Sequence, residues 1–280
     1  MQVSALYRYP VKSMGGQSVA RARIEPIGIV DDRRWMMVNE AGRFMTRREL
    51  PAMAQIEALP TEDGILLRNK AAGDLAVRFP KANDATRTVK VWRDEVEALS
   101  GGEEADAWLS TFFGRKLHLV YKPEESRRPV DPEFGEADDI VSFADGFPIL
   151  LTTTESLAAL NERLRVPVAM ERFRPNIVLS GAPEGWAEDC WKRIRIGGVT
   201  LRIVKPCARC VMTTQDPATG EKVDGDEPLA TLRAMGRKAS NGLIFGQNAI
   251  PDGSADIMVG DAVEIVETGP SNLLSSGKGR

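Results

Sequence analysis

Residues 199–220 read VTLRIVKPCARCVMTTQDPATG. Apolar and polar residues alternate over 199–204, which predicts a β-strand that runs as far as Pro206. We expect the chain to turn through the Cys-Ala-Arg-Cys segment at 207–210 and to resume as a strand at Val211. The pattern therefore predicts a β-rich fold in which two thiols and one guanidinium group are displayed on a loop between strands.

Strand-like segments of the same type lie on both sides of this stretch, each bounded by Gly, Pro, Asn or Asp. They cover residues 2–9, 34–38, 64–68, 88–92, 96–99, 116–121, 176–179, 193–196 and a last pair near 256–267 with its turn at Gly260-Asp261. The number and spacing of these segments predict that sheets make up most of the molecule.

Apolar residues at helical spacing predict three helices between the strands. The first covers 103–113 and ends at Gly114, the second begins with a capping box from Thr152 to Glu155, and the third covers 227–236 after a cap at Asp226. The fold class is therefore predicted to be α+β and β-rich.

One polar segment, rich in Pro and acidic residues, separates the chain into two parts. It covers 122–140 and has the composition of a linker or long loop. We predict one domain over 1–121, a second over 141–268, and a mobile Gly/Ser-rich tail over 269–280.

Composition excludes several classes of protein. The chain has 280 residues, of which 42% are hydrophobic and 28% charged, as in ordinary globular proteins. Its 37 Lys and Arg against 40 Asp and Glu give a net charge of −3, which argues against nucleic-acid binding. No apolar run is long enough for a membrane span, and no signal peptide opens the chain. We therefore expect a reducing, cytoplasmic setting.

The scarcity of His and Cys limits the chemistry. A single His, His118, excludes a metal site built from several His, and its strand-like surroundings favour a structural role. The Cys207–Cys210 pair could be half of a zinc site, a redox dithiol or two small apolar side chains. It could also supply one thiolate ligand to a metal cofactor, with Arg209 nearby to favour the anionic form of the thiol. The residues alone leave these alternatives open.

The motif around the two thiols is more specific than the thiols themselves. Residues 205–220 follow the pattern Lys-Pro-Cys-x-Arg-Cys-x-x-Thr-Thr-x-Asp-Pro-x-Thr-Gly, and further matching motifs lie at 172–178, 186–191, 245–248 and 259–261. Together these motifs resemble the MOSC domain. Residues 9–13, 32–35 and 46–48 resemble the β-barrel domain that precedes MOSC in the branch of the amidoxime-reducing component and its bacterial relatives. The resemblance implies an N-terminal β-barrel-like domain followed by a MOSC β-barrel domain with a few helices.

The resemblance also implies a mononuclear molybdenum centre held by a molybdopterin-type pterin cofactor and one protein thiolate. Cys210 matches the family's metal ligand and is the implied catalytic residue, whereas Cys207 matches a less certain position and Cys190 reads as structural. The residues implied for cofactor binding are Lys12, Ser13, Arg33, Arg174, Asn176, Arg209 and Thr213. The first four match positions that hold the anionic phosphate of the pterin.

The reaction implied by the resemblance is the reduction of small N-hydroxylated compounds: amidoximes, hydroxylamines and N-hydroxylated base analogues. The three cysteines are too few for an iron–sulfur cluster with four Cys ligands, so electrons would come from a separate protein. A flavin reductase with a ferredoxin or haem protein is the expected donor. The alternatives are a sulfur carrier with a persulfide on Cys210, a cofactor-handling protein, and a non-catalytic ligand-binding protein.

Overall fold

A computed structural model describes residues 1–273 of the chain. The β-strands of this range, β1 to β19 in chain order, are Gln2–Arg8, Gln17–Val19, Arg21–Glu25, Gly28–Ile29, Trp35–Asn39, Glu57–Thr61, Gly64–Asn69, Gly73–Arg78, Thr86–Val91, Asp94–Ser100, Leu117–Tyr121, Ile149–Thr153, Ile177–Ser180, Trp191–Ile196, Val199–Arg209, Lys238–Ala239, Gly242–Asp252, Ala255–Met258 and Val263–Thr268. Helices α1, α2 and α3 are Glu103–Phe113, Thr154–Asn161 and Leu229–Ala234, and short 3-10 helices cover Pro51–Gln55, Met170–Phe173, Ala187–Cys190 and Val211–Thr214. The predicted fold class, α+β and β-rich, is confirmed.

The largest sheet joins the two ends of the chain. Its nine strands run in the order β19-β14-β15-β17-β12-β13-β1-β2, with β16 paired to β17. Pairing is antiparallel except between β12 and β13. The first strand therefore lies beside β13, although almost 170 residues separate them along the chain. Strand β3 similarly pairs with β18. The domain division at 122–140 stays a prediction about sequence units, and strand pairing crosses it.

Smaller sheets build the rest of the N-terminal half. One has the order β5-β11-β10-β9 and another the order β6-β7-β8. Helix α1 covers their shared core with Ala105 and Leu109, which pack near the buried Trp35. The helix ends at Gly114 in a left-handed conformation (φ 64°), which a residue without Cβ adopts at little cost. The predicted helix over 103–113 is confirmed.

Strand β15 differs from its predicted form. It continues through Pro206 to Arg209, and a 3-10 helix rather than a strand follows at Val211. The register with β17 shifts between Ile203 and Lys205 and again between Pro206 and Ala208. Such bulges accept a residue that has no N–H to donate to the ladder. The predicted turn through 207–210 and the strand at Val211 were therefore wrong.

Both predicted helix caps were also wrong. The hydroxyl of Thr153, not Thr152, accepts the backbone N–H of Ser156 at the start of α2. Helix α3 begins after Pro228, and the side chain of Asp226 bonds Lys222 instead. In each case, the helix begins one or two residues later than the position that local pattern favours.

The last two strands exist but do not pair with each other. Strand β18 pairs with β3, and β19 pairs with β14. Beyond β19, Asn272 is buried, and its N–H donates to the carbonyl of Asp189 at 2.7 Å. The rest of the predicted mobile tail, 274–280, lies outside the described residues. Among residues 1–273, no helix has the length and apolar character that a membrane crossing requires.

A buried carboxyl links α2 to the segment before β14. Glu188 is fully buried, and its carboxylate oxygens accept hydrogen bonds from Ser156 Oγ at 2.7 and 2.8 Å and from Thr153 Oγ1 at 3.1 Å. Burial raises the pKa of Glu188 to about 6, because removal from water disfavours the charged form.

This raised pKa predicts a pH-dependent stability. The protonated carboxyl stabilises the fold below the unfolded-state value of 4.5, and that contribution is lost as pH rises through about 6. As pH rises from 4.5 to 7.5, we expect the difference in unfolding free energy between Glu188→Gln and wild type to shift by about 2 kcal/mol in favour of the variant. Urea unfolding across this range measures the difference, with Glu162→Gln at the exposed end of α2 as control. If the difference in unfolding free energy between Glu188→Gln and wild type did not change with pH, the raised pKa of Glu188 would be contradicted.

Candidate functional site

A cavity of about 290 Å³ opens where loops of the two halves meet. Most of the residues that line it come from the loops after β1, β4 and β5, from the segment before β12, from the segment between α2 and β13, and from the end of β15 with the segment after it. The others lie in β12, in β17 and in the turn before β17. The structure brings all the predicted site residues to this cavity: Lys12, Ser13, Arg33, Arg174, Asn176, Arg209, Cys210 and Thr213. Their roles stay predictions, whereas their proximity is a property of the fold.

The two thiols at the end of β15 have different surroundings. Cys210 is exposed, and its Sγ lies 3.9 Å from Nη1 of Arg48. Thr213 donates both its N–H and its hydroxyl to the carbonyl of Cys210, each at 3.0 Å. Cys207 is half-buried, and Nη1 of Arg209 donates to its Sγ at 2.8 Å. Thr213 therefore fixes the backbone that presents the Cys210 thiol.

One tyrosine ring holds two of the predicted arginines. The Arg33 and Arg174 guanidinium carbons lie 4.3 and 4.2 Å from the ring centroid of the buried Tyr9. Arg33 also bonds the carboxylate of Asp32 at 2.6 Å and the side-chain oxygen of Asn176 at 3.1 Å. Asn176 thus acts on the cavity by positioning Arg33. The aromatic ring attracts both cations and keeps them together despite their equal charge.

Three of the predicted residues have an uncommon backbone conformation. Ser13, Arg33 and Arg174 have φ values of 68°, 50° and 54°, in the left-handed region. A residue with a Cβ pays about 1–2 kcal/mol for this conformation, which concentrates at functional sites. The conformation directs three side chains from separate loops toward one cavity.

Positive charge dominates the lining. The basic side chains are Lys12, Arg33, Arg48, Arg172, Arg174, Lys205 and Arg209, opposed by the carboxylate of Asp145. Asp145 pairs with Lys12, from Nζ to Oδ1, at 2.6 Å. Within residues 1–273, Nη1 of Arg172, Nη2 of Arg174 and Nε of Arg209 are buried without a hydrogen-bond partner. Burial and the guanidinium groups of Arg47 and Arg33 lower the pKa of Arg174. An anion would relieve this excess of charge.

Sequence reasoning missed several lining residues. Thr46 and Arg172 belong to motifs that the sequence displays, so their neighbourhood carried a signal. Arg48, in the same motif as Thr46, is a residue that the family resemblance already suggests for the cofactor site. Lys205 opens the motif at 205–220, whereas Asp145 reaches the cavity only through the course of the loop before β12. Cys190 is exposed and does not belong to the cavity lining, and its interpretation as a structural residue stays a prediction.

Two family models match successive parts of the chain. Residues 1–116 match the MOSC N-terminal beta barrel domain, and residues 138–264 match the MOSC domain. The chain therefore belongs to the family of MOSC proteins that carry this N-terminal domain.

Within that family, the chain is similar to named vertebrate proteins. Mitochondrial amidoxime-reducing component 1 of Xenopus laevis is 33% identical over 279 residues, covering 93% of this chain and 81% of that protein. The proteins of the same name from Mus musculus and Homo sapiens are 34% and 32% identical, each covering 94% of this chain and 82% of its own length. The chain is thus homologous to the amidoxime-reducing components over most of its length.

The guanidinium nitrogens that lack a hydrogen-bond partner within residues 1–273 predict that the cavity binds inorganic phosphate. We expect millimolar phosphate to raise the Tm of protein purified without cofactor by about 2–4 °C, because the ligand stabilises only the folded state. Arg174→Gln should lose most of this rise, whereas Arg21→Gln, an exposed cation on β3, should keep it. Thermal unfolding at constant ionic strength measures the shift. An equal phosphate response in the two variants would refute the anion site.

Proposed function

We propose that the protein is a molybdenum-cofactor-dependent reductase of small N-hydroxylated compounds. The observation that carries the proposal is the position of the Cys210 thiol at a cavity lined by basic side chains, where nitrogens of Arg172, Arg174 and Arg209 are buried without a hydrogen-bond partner within residues 1–273. Relatives named amidoxime-reducing components, about a third identical over most of the chain, support the choice of reaction.

The residues at the cavity fit an anionic cofactor with a soft metal. The Cys210 thiolate would be the protein ligand, since sulfur ligands suit such metals. Lys12, Ser13, Arg33 and Arg174 would hold the phosphate of the pterin with charge-assisted hydrogen bonds. When bound, the cofactor would supply two-electron chemistry that removes oxygen from the substrate.

The remaining residues would hold these contacts in place. Thr213 anchors the backbone of Cys210 through the carbonyl, and Asn176 orients Arg33. Arg209 donates to Cys207, so it would contribute to the cofactor site as a fixed positive charge near the thiols. Such supporting contacts set the geometry on which a bound metal depends.

The overall reaction would be R–NHOH + 2 e⁻ + 2 H⁺ → R–NH₂ + H₂O. Amidoximes, hydroxylamines and N-hydroxylated base analogues are the proposed substrates. The electrons would come from a separate donor, a flavin reductase with a ferredoxin or haem protein. A cytoplasmic location and the absence of nucleic-acid partners stay predictions, and the named relatives are mitochondrial proteins.

A second candidate function rests on the exposure of Cys210. A thiol that is accessible and lies beside the guanidinium group of Arg48 could carry a persulfide, as a sulfur carrier or cofactor-handling protein requires. Mass spectrometry of the intact protein distinguishes this state from a bound metal.

Substitution of the cysteines tests the proposal. In a host that makes the pterin cofactor, we expect near-stoichiometric molybdenum and pterin in wild type and loss of both in Cys210→Ala. Turnover of an N-hydroxylated compound with reduced methyl viologen should disappear with them. Cys207→Ala should lower activity by about tenfold or less, as for a residue that supports a ligand, and Cys190→Ala should match wild type. Unchanged activity in Cys210→Ala would refute the ligand assignment.

A further inference from the structure

The tip of the β9–β10 hairpin carries a residue that folding alone does not explain. Val91 pairs with Asp94, so the connection is a two-residue turn made of Trp92 and Arg93. Trp92 has a φ of 58°, at a turn position that favours glycine. Its side chain nevertheless stays 51% exposed. The left-handed backbone at a residue with a large side chain points to a role beyond packing, because such strain concentrates at functional sites.

The contacts of Trp92 tie it to the rim of the cavity. Its ring lies under the guanidinium group of Arg48, 5.2 Å from centroid to Cζ, and Arg48 in turn lies 3.9 Å from the sulfur of Cys210. Its indole N–H donates to Asp145 at 3.3 Å. Arg48 and Asp145 both line the cavity. Phe44 supports the indole from behind, with ring centroids 5.1 Å apart.

We infer that Trp92 is a specificity-determining residue at the cavity entrance, where its indole binds the planar ring of aromatic N-hydroxylated substrates. This inference rests on the proposed reductase function and names the substrates that the site prefers. The exposed part of the indole offers apolar, polarisable surface beside Arg48, and aromatic rings pack favourably against such a surface. A substrate without a ring makes no equivalent contact.

The test compares one substrate that has a ring with one that lacks it. Benzamidoxime and acetamidoxime carry the same reacting group, and reduced methyl viologen replaces any protein donor. We expect Trp92→Gly to raise KM for benzamidoxime about five- to tenfold and KM for acetamidoxime less than about twofold. Trp92→Phe should lie between Trp92→Gly and wild type for benzamidoxime.

Two features of the design keep the result interpretable. Glycine relieves the positive φ at the turn, so Trp92→Gly is expected to fold, and its molybdenum content should equal that of wild type. Met258→Ala on β18, an exposed apolar residue outside the cavity lining, is the matched control and should leave both KM values unchanged. Calorimetry of benzamidoxime binding to the oxidised holoprotein, without electron donor, gives a Kd independent of turnover.

The outcomes separate the inference from the proposed function. An equal rise in KM for both amidoximes, or an unchanged Kd for benzamidoxime in Trp92→Gly, would overturn the role of Trp92 and leave the reductase intact. If wild type reduces neither compound, the proposed function fails. The calorimetric comparison of wild type with Trp92→Gly still decides whether the indole binds the ring.

Discussion

The contact on which the site depends is the buried ring of Tyr9 with Arg33 and Arg174 against it. Two cations of equal charge stay together because the ring attracts both and because each also bonds a neighbouring oxygen atom. Tyr9 reaches Arg174 because β1 pairs with β13 in the largest sheet. The backbone N–H of Arg33 donates to the carbonyl of Tyr9 at 2.8 Å, which joins a third loop to them.

Several features of this cavity lower the stability of the folded protein. Left-handed backbone at Ser13, Arg33 and Arg174 opposes folding, and so do the guanidinium nitrogens that have no partner within residues 1–273. Apolar packing offsets these costs, notably in the core that includes Leu6 and Ile177. This combination is typical of sites where function and stability compete, and it places the destabilising features where an anionic ligand would compensate them.

Local pattern predicted most elements of the fold but not their pairing. Alternation located the strands, and helical spacing with a terminal glycine located α1 from residue 103 to residue 113. Pattern failed at Pro206, because two bulges let β15 continue where proline normally ends a strand. It also paired the last two strands with each other. In the structure, these strands form hydrogen bonds with β3 and β14 instead. No local sequence signal identifies partners so distant along the chain.

Cys210, Arg33 and Arg174 lie in contiguous motifs that can be read along the chain. The family and these candidate residues could therefore be inferred from the resemblance of those motifs alone. The pairing of Asp145 with Lys12 and the approach of Arg48 to Cys210 depend on the folded structure. So does the position of Trp92 beside Arg48 and Asp145. Apart from the contact between Trp92 and Arg48, these contacts join loops from opposite halves of the chain. Their geometry follows from sheet register and backbone conformation, which packing over long sequence separations fixes and local sequence does not.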